Sequence, residues 1–339
     1  MSQATARSLD LQLPGAAELK DQLDRLADMF RLAELDAIPR GRIPFVRAGR
    51  VTTAFHDLVH VFDDVVRGCD PGEAAILGAR VRAALLPFLM KSENAERSIT
   101  KPRGYAGDFL SIEQVYDNQP RGLGPLGVLI DRCFLNLPAA RAVRNRRPVM
   151  IQEIRATVDA CAGRPARIVS FAAGPARELF DTYHLLGDSR TLTATLVDFD
   201  ALALEYCAAQ RGRFGLGSVI ELVNANLIHV ATGRQDLALA DQDLIYSVGL
   251  IDYFGDDLVV KLLDLIHRTL RPGGRVILGN FHPCNPTKAV LDHVFDWQLI
   301  HRSEADMHRL VRASAFGTSC SRILYEPQRI NLFAEAVKA

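Results

Sequence analysis

The sequence predicts an α/β fold: a parallel sheet with helices on both faces over the C-terminal half, preceded by a mostly helical half. Three observations carry this. From about residue 163 onward, short apolar runs alternate with amphipathic stretches, the pattern of βα units. At 166–183 an apolar run passes through a glycine turn into a helical pattern, the unit that makes a ligand cradle at the carboxyl edge of a sheet. Before residue 162 no such alternation occurs, and the apolar residues fall at helical spacing.

Composition sets outer bounds. A chain of 339 residues with 48% apolar content suggests two domains, or one large domain with an extension, and ample core. Forty Lys and Arg offset forty Asp and Glu, so net charge gives no argument for nucleic acid or an anionic membrane as partner. The six cysteines (69, 133, 161, 207, 284 and 320) contain no Cys-x-x-Cys pair and read as reduced thiols, mostly buried. No run approaches 18 apolar residues, and Met1 to Leu13 has no apolar signal core. The expectation is a soluble, cytoplasmic protein with no membrane span.

In the first half, residues 1–14 are expected to be disordered. Leu19, Leu23, Leu26, Phe30 and Ala33 form one stripe of a helix over 17–37. Pro39, Gly41, Pro44 and Gly49 mark 38–50 as a linker. Helices are expected over 51–66 and 71–90, the latter with Pro71 at its first position behind Asp70. His56 and His60 stand at i,i+4, but no Glu follows His56 and no third ligand is evident, so no metal site is assigned. Residues 92–118 carry Lys101, Arg103, Tyr105 and Asp108 among Pro102, Gly104 and Gly107. Such a shaped loop suits a lid over a polar ligand; equally it suits a solvated connection with Asp108 as the N-cap of the next helix. Helices follow over 123–135 and 138–161. Arg141, Arg144, Arg146 and Arg147 open the second of these and read as a solvated face.

In the second half, strands are expected at 167–172, 191–197, 219–223, 243–247 and 275–279. A helix over 257–270 ends at Arg271-Pro-Gly-Gly. Asp200 caps a helix running to Ala209. Two β-rich runs, 318–325 and 329–337, separated by Glu326-Pro-Gln, read as an antiparallel hairpin. In the turn at 172–176, Gly174 lets the backbone approach a ligand, and Pro175 suits the first position of the following helix. Asp198 ends the second strand, where a carboxylate can accept from both hydroxyls of a ribose. His282, just past the fifth strand, is placed to orient a substrate or take a proton. The stretch 280–317 is an insertion. Within it a helix would carry His293, Trp297 and His301 on one face, with Trp297 lining a pocket or packing the insertion.

Five parallel strands closed by a terminal antiparallel hairpin resemble the plan of the class I S-adenosylmethionine-dependent methyltransferases. The resemblance covers about 163–339. It implies a Rossmann-like seven-stranded methyltransferase sheet over 163–339; residues 1–162, read above as mostly helical, are then the N-terminal domain, bearing the lid at about 92–118. It implies S-adenosylmethionine as cofactor and a small-molecule acceptor. Ala172-Ala-Gly-Pro-Ala stands where the family shows Gly-x-Gly-x-Gly. By this resemblance Ala172, Gly174, Asp198, Phe199, Asn226, Ser247 and Tyr253 bind the cofactor. Asn226 would meet the adenine amino group, with Asn224 as its competitor. A NAD enzyme shares the geometry but would want Gly-x-Gly-x-x-Gly, which is missing here.

A finer resemblance joins Lys101-Pro-Arg-Gly-Tyr-Ala-Gly-Asp-Phe, Leu196-Val-Asp-Phe-Asp, and Gly279-Asn-Phe-His-Pro-Cys-Asn-Pro with Asp296-Trp-Gln-Leu-Ile-His-Arg. These are similar to the bacterial methyltransferases of 3-hydroxypalmitic acid methyl ester biosynthesis, a quorum signal. The likeness implies methyl transfer to a carboxylate; an N- or O-methyltransferase of a secondary metabolite and a non-catalytic cofactor-binding module are the alternatives. Arg103 would pair with the acceptor carboxylate, Tyr105 would order the site from the lid, and Asp252 and Tyr253 would border the sulfonium. His282 would orient the acceptor or act as its base. The helical half suits a lid, a homodimer surface or both.

Overall fold

The computed structural model describes residues 15–39, 41–161 and 163–339. The expectation for 1–14 lies outside the described residues. Two compact units arise, each drawn from separate stretches of chain. The first comprises the described residues up to Ala106, with Gln119–Leu137 and Pro286–Trp297. The second comprises Gly107–Asn118, Pro138–Asn285 and Gln298–Ala339. No helix among the described residues is long and apolar enough to cross a membrane.

The first unit is helical. It holds α1 (Ala16–Ala37), α2 (Phe45–Arg67), α3 (Pro71–Leu89), α4 (Glu93–Thr100) and, after α5 (Phe109–Asp117) of the other unit, α6 (Gly124–Leu135). Their apolar stripes meet through Leu26, Phe30, Phe55, Phe62, Val81 and Ile130, all almost fully buried. Asp70 caps α3 by a capping box with Glu73, and Pro71 takes the first helical position as expected. Buried Asp131 on α6 accepts from the Ser92 hydroxyl at 2.7 Å, the Asn94 amide at 2.8 Å and the Arg121 amide at 2.8 Å. One carboxylate thus anchors the start of α4 and the chain leading to α6.

The second unit is built on a seven-stranded sheet of order β3-β2-β1-β4-β5-β7-β6. Its strands are β1 (Ala166–Phe171), β2 (Leu192–Asp198), β3 (Ile220–Asn224), β4 (Gln242–Ser247), β5 (Leu270–Phe281), β6 (Arg322–Tyr325) and β7 (Asn331–Val337). The first five pair in parallel; β7 pairs antiparallel to β5 and to β6. The near-continuous apolar runs follow from burial on both faces. Ile168, Leu196, Leu244 and Tyr246 pack with α7 (Pro138–Ala160) and α8 (Arg177–Leu186). Val169, Val197 and Ile245 pack on the other face with α11 (Asp256–Thr269) and α12 (Glu304–Ala313). Strand order reverses between β1 and β4, so the carboxyl ends of these two strands open a crevice there. The remaining helices of this unit are α5 (Phe109–Asp117), α9 (Ala201–Arg213) and α10 (Leu227–Ala231).

Several expectations need correction. Pro175 is not the first helical residue: Ala176 has φ 48°, which no right-handed helix admits, so α8 begins at Arg177. The shaped loop over 92–118 is confined to 101–107, because Ser92 caps α4 and Asp108 caps α5. The linker ends early, α2 starting at Phe45. The helix expected to carry His293, Trp297 and His301 does not form. Val290–Val294 is a π-turn, Asp296 turns left-handed at φ 51°, and the chain from 296 to 303 is irregular. The three side chains therefore share no helical face, and His301 falls in the other unit from His293 and Trp297.

Candidate functional site

The loop leaving β1 has an unusual backbone. Ala172, Gly174 and Ala176 all adopt positive φ, at 52°, 52° and 48°. These are the three positions where Gly-x-Gly-x-Gly would stand. Holding an alanine left-handed costs about 1 kcal/mol, so the loop keeps a glycine-type path at two places without the glycine. At Gly174 a Cβ would meet nothing within 4 Å, so this side of the loop faces open space. The Gly174 amide donates to Asp198 Oδ2 at 2.9 Å, and the Asp200 amide to Asp198 Oδ1 at 2.9 Å.

Asp198 is thereby fixed at the end of β2, and burial pushes its carboxyl above the ordinary carboxylate range while these amides pull the other way. Each oxygen retains a lone pair for a further donor. Phe199 beside it is 56% exposed, a large aromatic surface at the crevice rim. Asp200 caps α9 through the Leu202 amide at 3.0 Å, as expected, so the cap does not depend on Asp198. At the end of β3 the two asparagines differ. Asn226 Oδ1 caps α10, accepting from the Ile228 amide at 3.0 Å. Asn224 donates its amide to the Asp198 and Phe199 carbonyls, and its Oδ1 makes no hydrogen bond among the described residues. Of the two side-chain oxygens, that of Asn224 is therefore the open acceptor.

After β4 the chain is held from below. The Ser247 hydroxyl donates to the Phe171 carbonyl at 2.8 Å, linking the β4 loop to the β1 loop. Asp252 Oδ1 accepts from the Phe281 amide at 2.7 Å, linking it to β5. Burial raises the Asp252 carboxyl to about 6, against the pull of the Phe281 amide, Arg146 and Arg302. Arg302 donates to the Ile251 and Phe254 carbonyls, to Asn280 Oδ1 and to Asp256, pinning 251–256 from within. Tyr253 is left 42% exposed at the rim.

His282 follows β5 as expected, but both of its ring nitrogens are engaged. Nδ1 accepts from the Cys284 amide at 3.2 Å, which makes Nε2 the protonated nitrogen, and this faces Glu304 at 3.2 Å. Arg103 and Tyr105 lie half-buried on the 101–107 turn, in the first unit. Lys101, at the head of that turn, pairs with Asp296. The site residues on the second unit, from Ala172 round to His282, thus meet along one sheet edge, while Arg103 and Tyr105 belong to the helical unit. Among the described residues no group of three or more His, Cys, Asp or Glu is arranged to hold a metal ion.

Three residues went unread in the sequence. Glu178 gave no signal, and Arg302 stood only as the last residue of the 296–302 motif, with no role read for it. Arg146 sat in the basic run taken for a solvated face, yet it is 8% exposed and hydrogen-bonded to Tyr116. Arg147 pairs with Asp181. Only a helix wheel anchored to the sheet would have separated these from exposed Arg141.

Comparison with known proteins bears on the chemistry. A family model described as "Putative methyltransferase" matches residues 102–325. The chain is similar to the uncharacterized protein YnbC of Escherichia coli K12, at 28% identity over 232 residues. That match takes in 63% of this chain and only 37% of the relative's length. A crystal structure described as a possible exported protein from Bordetella parapertussis shares the fold at 16% identity and TM-score 0.56, covering 100% of this chain and 99% of that one. The apo methyltransferase SibL aligns at 17% identity and TM-score 0.48, covering 98% and 99%.

Proposed function

The chain belongs to this methyltransferase family, and from that premise we propose that it transfers a methyl group from S-adenosylmethionine to the carboxylate of a small molecule. The observation that carries the cofactor assignment is the 172–176 loop, glycine-like in backbone at three alternate positions and open at Gly174, clasped to Asp198. When bound, S-adenosylmethionine supplies an electrophilic methyl on a sulfonium. Gly174 would let the backbone lie against the ligand, and Asp198 would accept from the ribose hydroxyls with its remaining lone pairs. Phe199 offers a flat apolar face to a base, and Asn224 Oδ1 an acceptor for an amino group. Ser247 and Asp252 hold the loop after β4, which would border the methyl, with Tyr253 lining its rim.

A carboxylate acceptor is favoured by the state of His282. Both ring nitrogens are committed within the fold, so this histidine has no open lone pair with which to deprotonate an amine or phenol. A carboxylate is already nucleophilic near neutral pH and needs only alignment and exclusion of water. The likeness of 101–109, 196–200 and 279–286 to methyl ester-forming enzymes points the same way, with a hydroxy fatty acid as the acceptor to try first.

The test is transfer from methyl-labelled S-adenosylmethionine to a small-molecule extract of the host and to 3-hydroxypalmitate. Product label that mild alkali releases as methanol is the expected outcome. Alkali-stable label would replace the carboxylate with nitrogen, phenol or carbon as acceptor.

A further inference from the structure

Arg146 and Arg302 are both buried in the second unit, and the fold treats them differently. Every side-chain nitrogen of Arg302 has an acceptor, among them Asp256. Arg146, on α7, spends only Nε, which donates to the Tyr116 hydroxyl at 3.1 Å. Its Nη1 and Nη2 make no hydrogen bond and no ion pair among the described residues. The guanidinium carbon lies 5.9 Å from the Tyr116 ring centroid. On the other side the head group reaches the loop after β4: a Cβ on Gly249 would stand 3.0 Å from Nη1. A cation with four unspent N–H donors, 8% exposed, is costly unless an anion meets it.

The carboxylates nearby are poorly placed to be that anion. Glu178 accepts from the Tyr246 hydroxyl at 2.9 Å, and burial raises its carboxyl. Asp252 is turned to the Phe281 amide. Glu178 sits in the first turn of α8, immediately behind the 172–176 loop, and both carboxylates lie within electrostatic reach of Arg146. Arg146 therefore stands between the β1 loop and the β4 loop. A planar fork suits a carboxylate, which can take two parallel N–H donors.

We propose that the Arg146 guanidinium is the carboxylate-binding subsite of this crevice. The inference rests on the methyltransferase reading above and adds to it a residue and a ligand group. Two sources offer that group: the amino-acid end of S-adenosylmethionine and an acidic acceptor.

Binding to wild type and Arg146→Met would be measured by calorimetry with S-adenosylmethionine, with its decarboxylated analogue, and with 3-hydroxydecanoate on protein saturated with S-adenosylhomocysteine. If the carboxylate belongs to the cofactor, wild type prefers S-adenosylmethionine over the analogue by about tenfold or more, and the variant loses that preference. If it belongs to the acceptor, the preference is unchanged and 3-hydroxydecanoate binding is lost in the variant. A purely structural arginine would weaken both cofactor forms equally and leave any 3-hydroxydecanoate binding in place; that result overturns the proposal. Should Arg146→Met fail to fold, Arg146→Lys, which keeps the cation and removes the fork, is read in the same three ways. Failure of wild type to bind S-adenosylmethionine at all would instead overturn the cofactor reading, and this inference with it.

Discussion

Asp252 carries a pH-dependent cost that one substitution can expose. Its carboxyl, ordinarily near 3.8, is raised to about 6 by burial. The folded state therefore holds this proton more tightly than the unfolded chain does. The stability so gained is full below pH 4 and is lost as pH rises through 6. A shift of this size corresponds to about 3 kcal/mol. Asp252→Asn keeps an oxygen for the Phe281 amide and removes the charge. The expected result, by urea unfolding without ligand, is little gain at pH 4 and a gain growing to as much as about 3 kcal/mol by pH 8. A difference that stays flat across this range would show that Asp252 is not ionised at cost. At this scale the sequence was readable where a residue's role is local. Asp70, Asp108 and Asp200 announce caps by type and position, and Asp198 by its place at a strand end. Arg146, Glu178 and Arg302 act across elements distant in sequence, and their spacing carries no such mark.

The β1 loop shows what a motif can hide. Written as Ala172-Ala-Gly-Pro-Ala it looks like a degraded glycine loop, yet the backbone turns left-handed at the same alternate positions. Ala172→Gly should then be neutral or stabilising by up to about 1 kcal/mol, as relief of strain offsets the lost methyl and the freer unfolded chain. The same substitution at Ala209, exposed in the interior of α9, should cost about 1 kcal/mol. Equal losses at the two sites, measured by denaturant unfolding, would mean that the loop stores no strain. The order of βα units, the terminal hairpin and most helix ends were legible because period and caps are local signals. The segment after Pro286 was not. Its apolar spacing looks helical, but a π-turn and left-handed Asp296 divert the chain, and nothing in residue type announces either.

At the scale of the molecule the chain crosses between its two compact units five times, at 106/107, 118/119, 137/138, 285/286 and 297/298. Gln119–Leu137 and Pro286–Trp297 are therefore closed loops of the first unit, each tethered at both ends to the second. Unfolding the sheet unit releases those tethers and raises the entropic cost of keeping α6 and the π-turn segment in place. The two units are thus expected to melt together. Trp297, the only tryptophan, lies in the helical unit, whereas the proposed cofactor site lies in the sheet unit. This separates probe from ligand. At a hundred times its dissociation constant, S-adenosylhomocysteine would add about 2.7 kcal/mol to the stability of the unit that binds it. If the units are coupled as argued, Trp297 fluorescence and far-ultraviolet circular dichroism report one midpoint, and both rise together by several degrees with ligand. A dichroism midpoint that rises while the Trp297 midpoint stays would mean that the units unfold independently despite the five crossings.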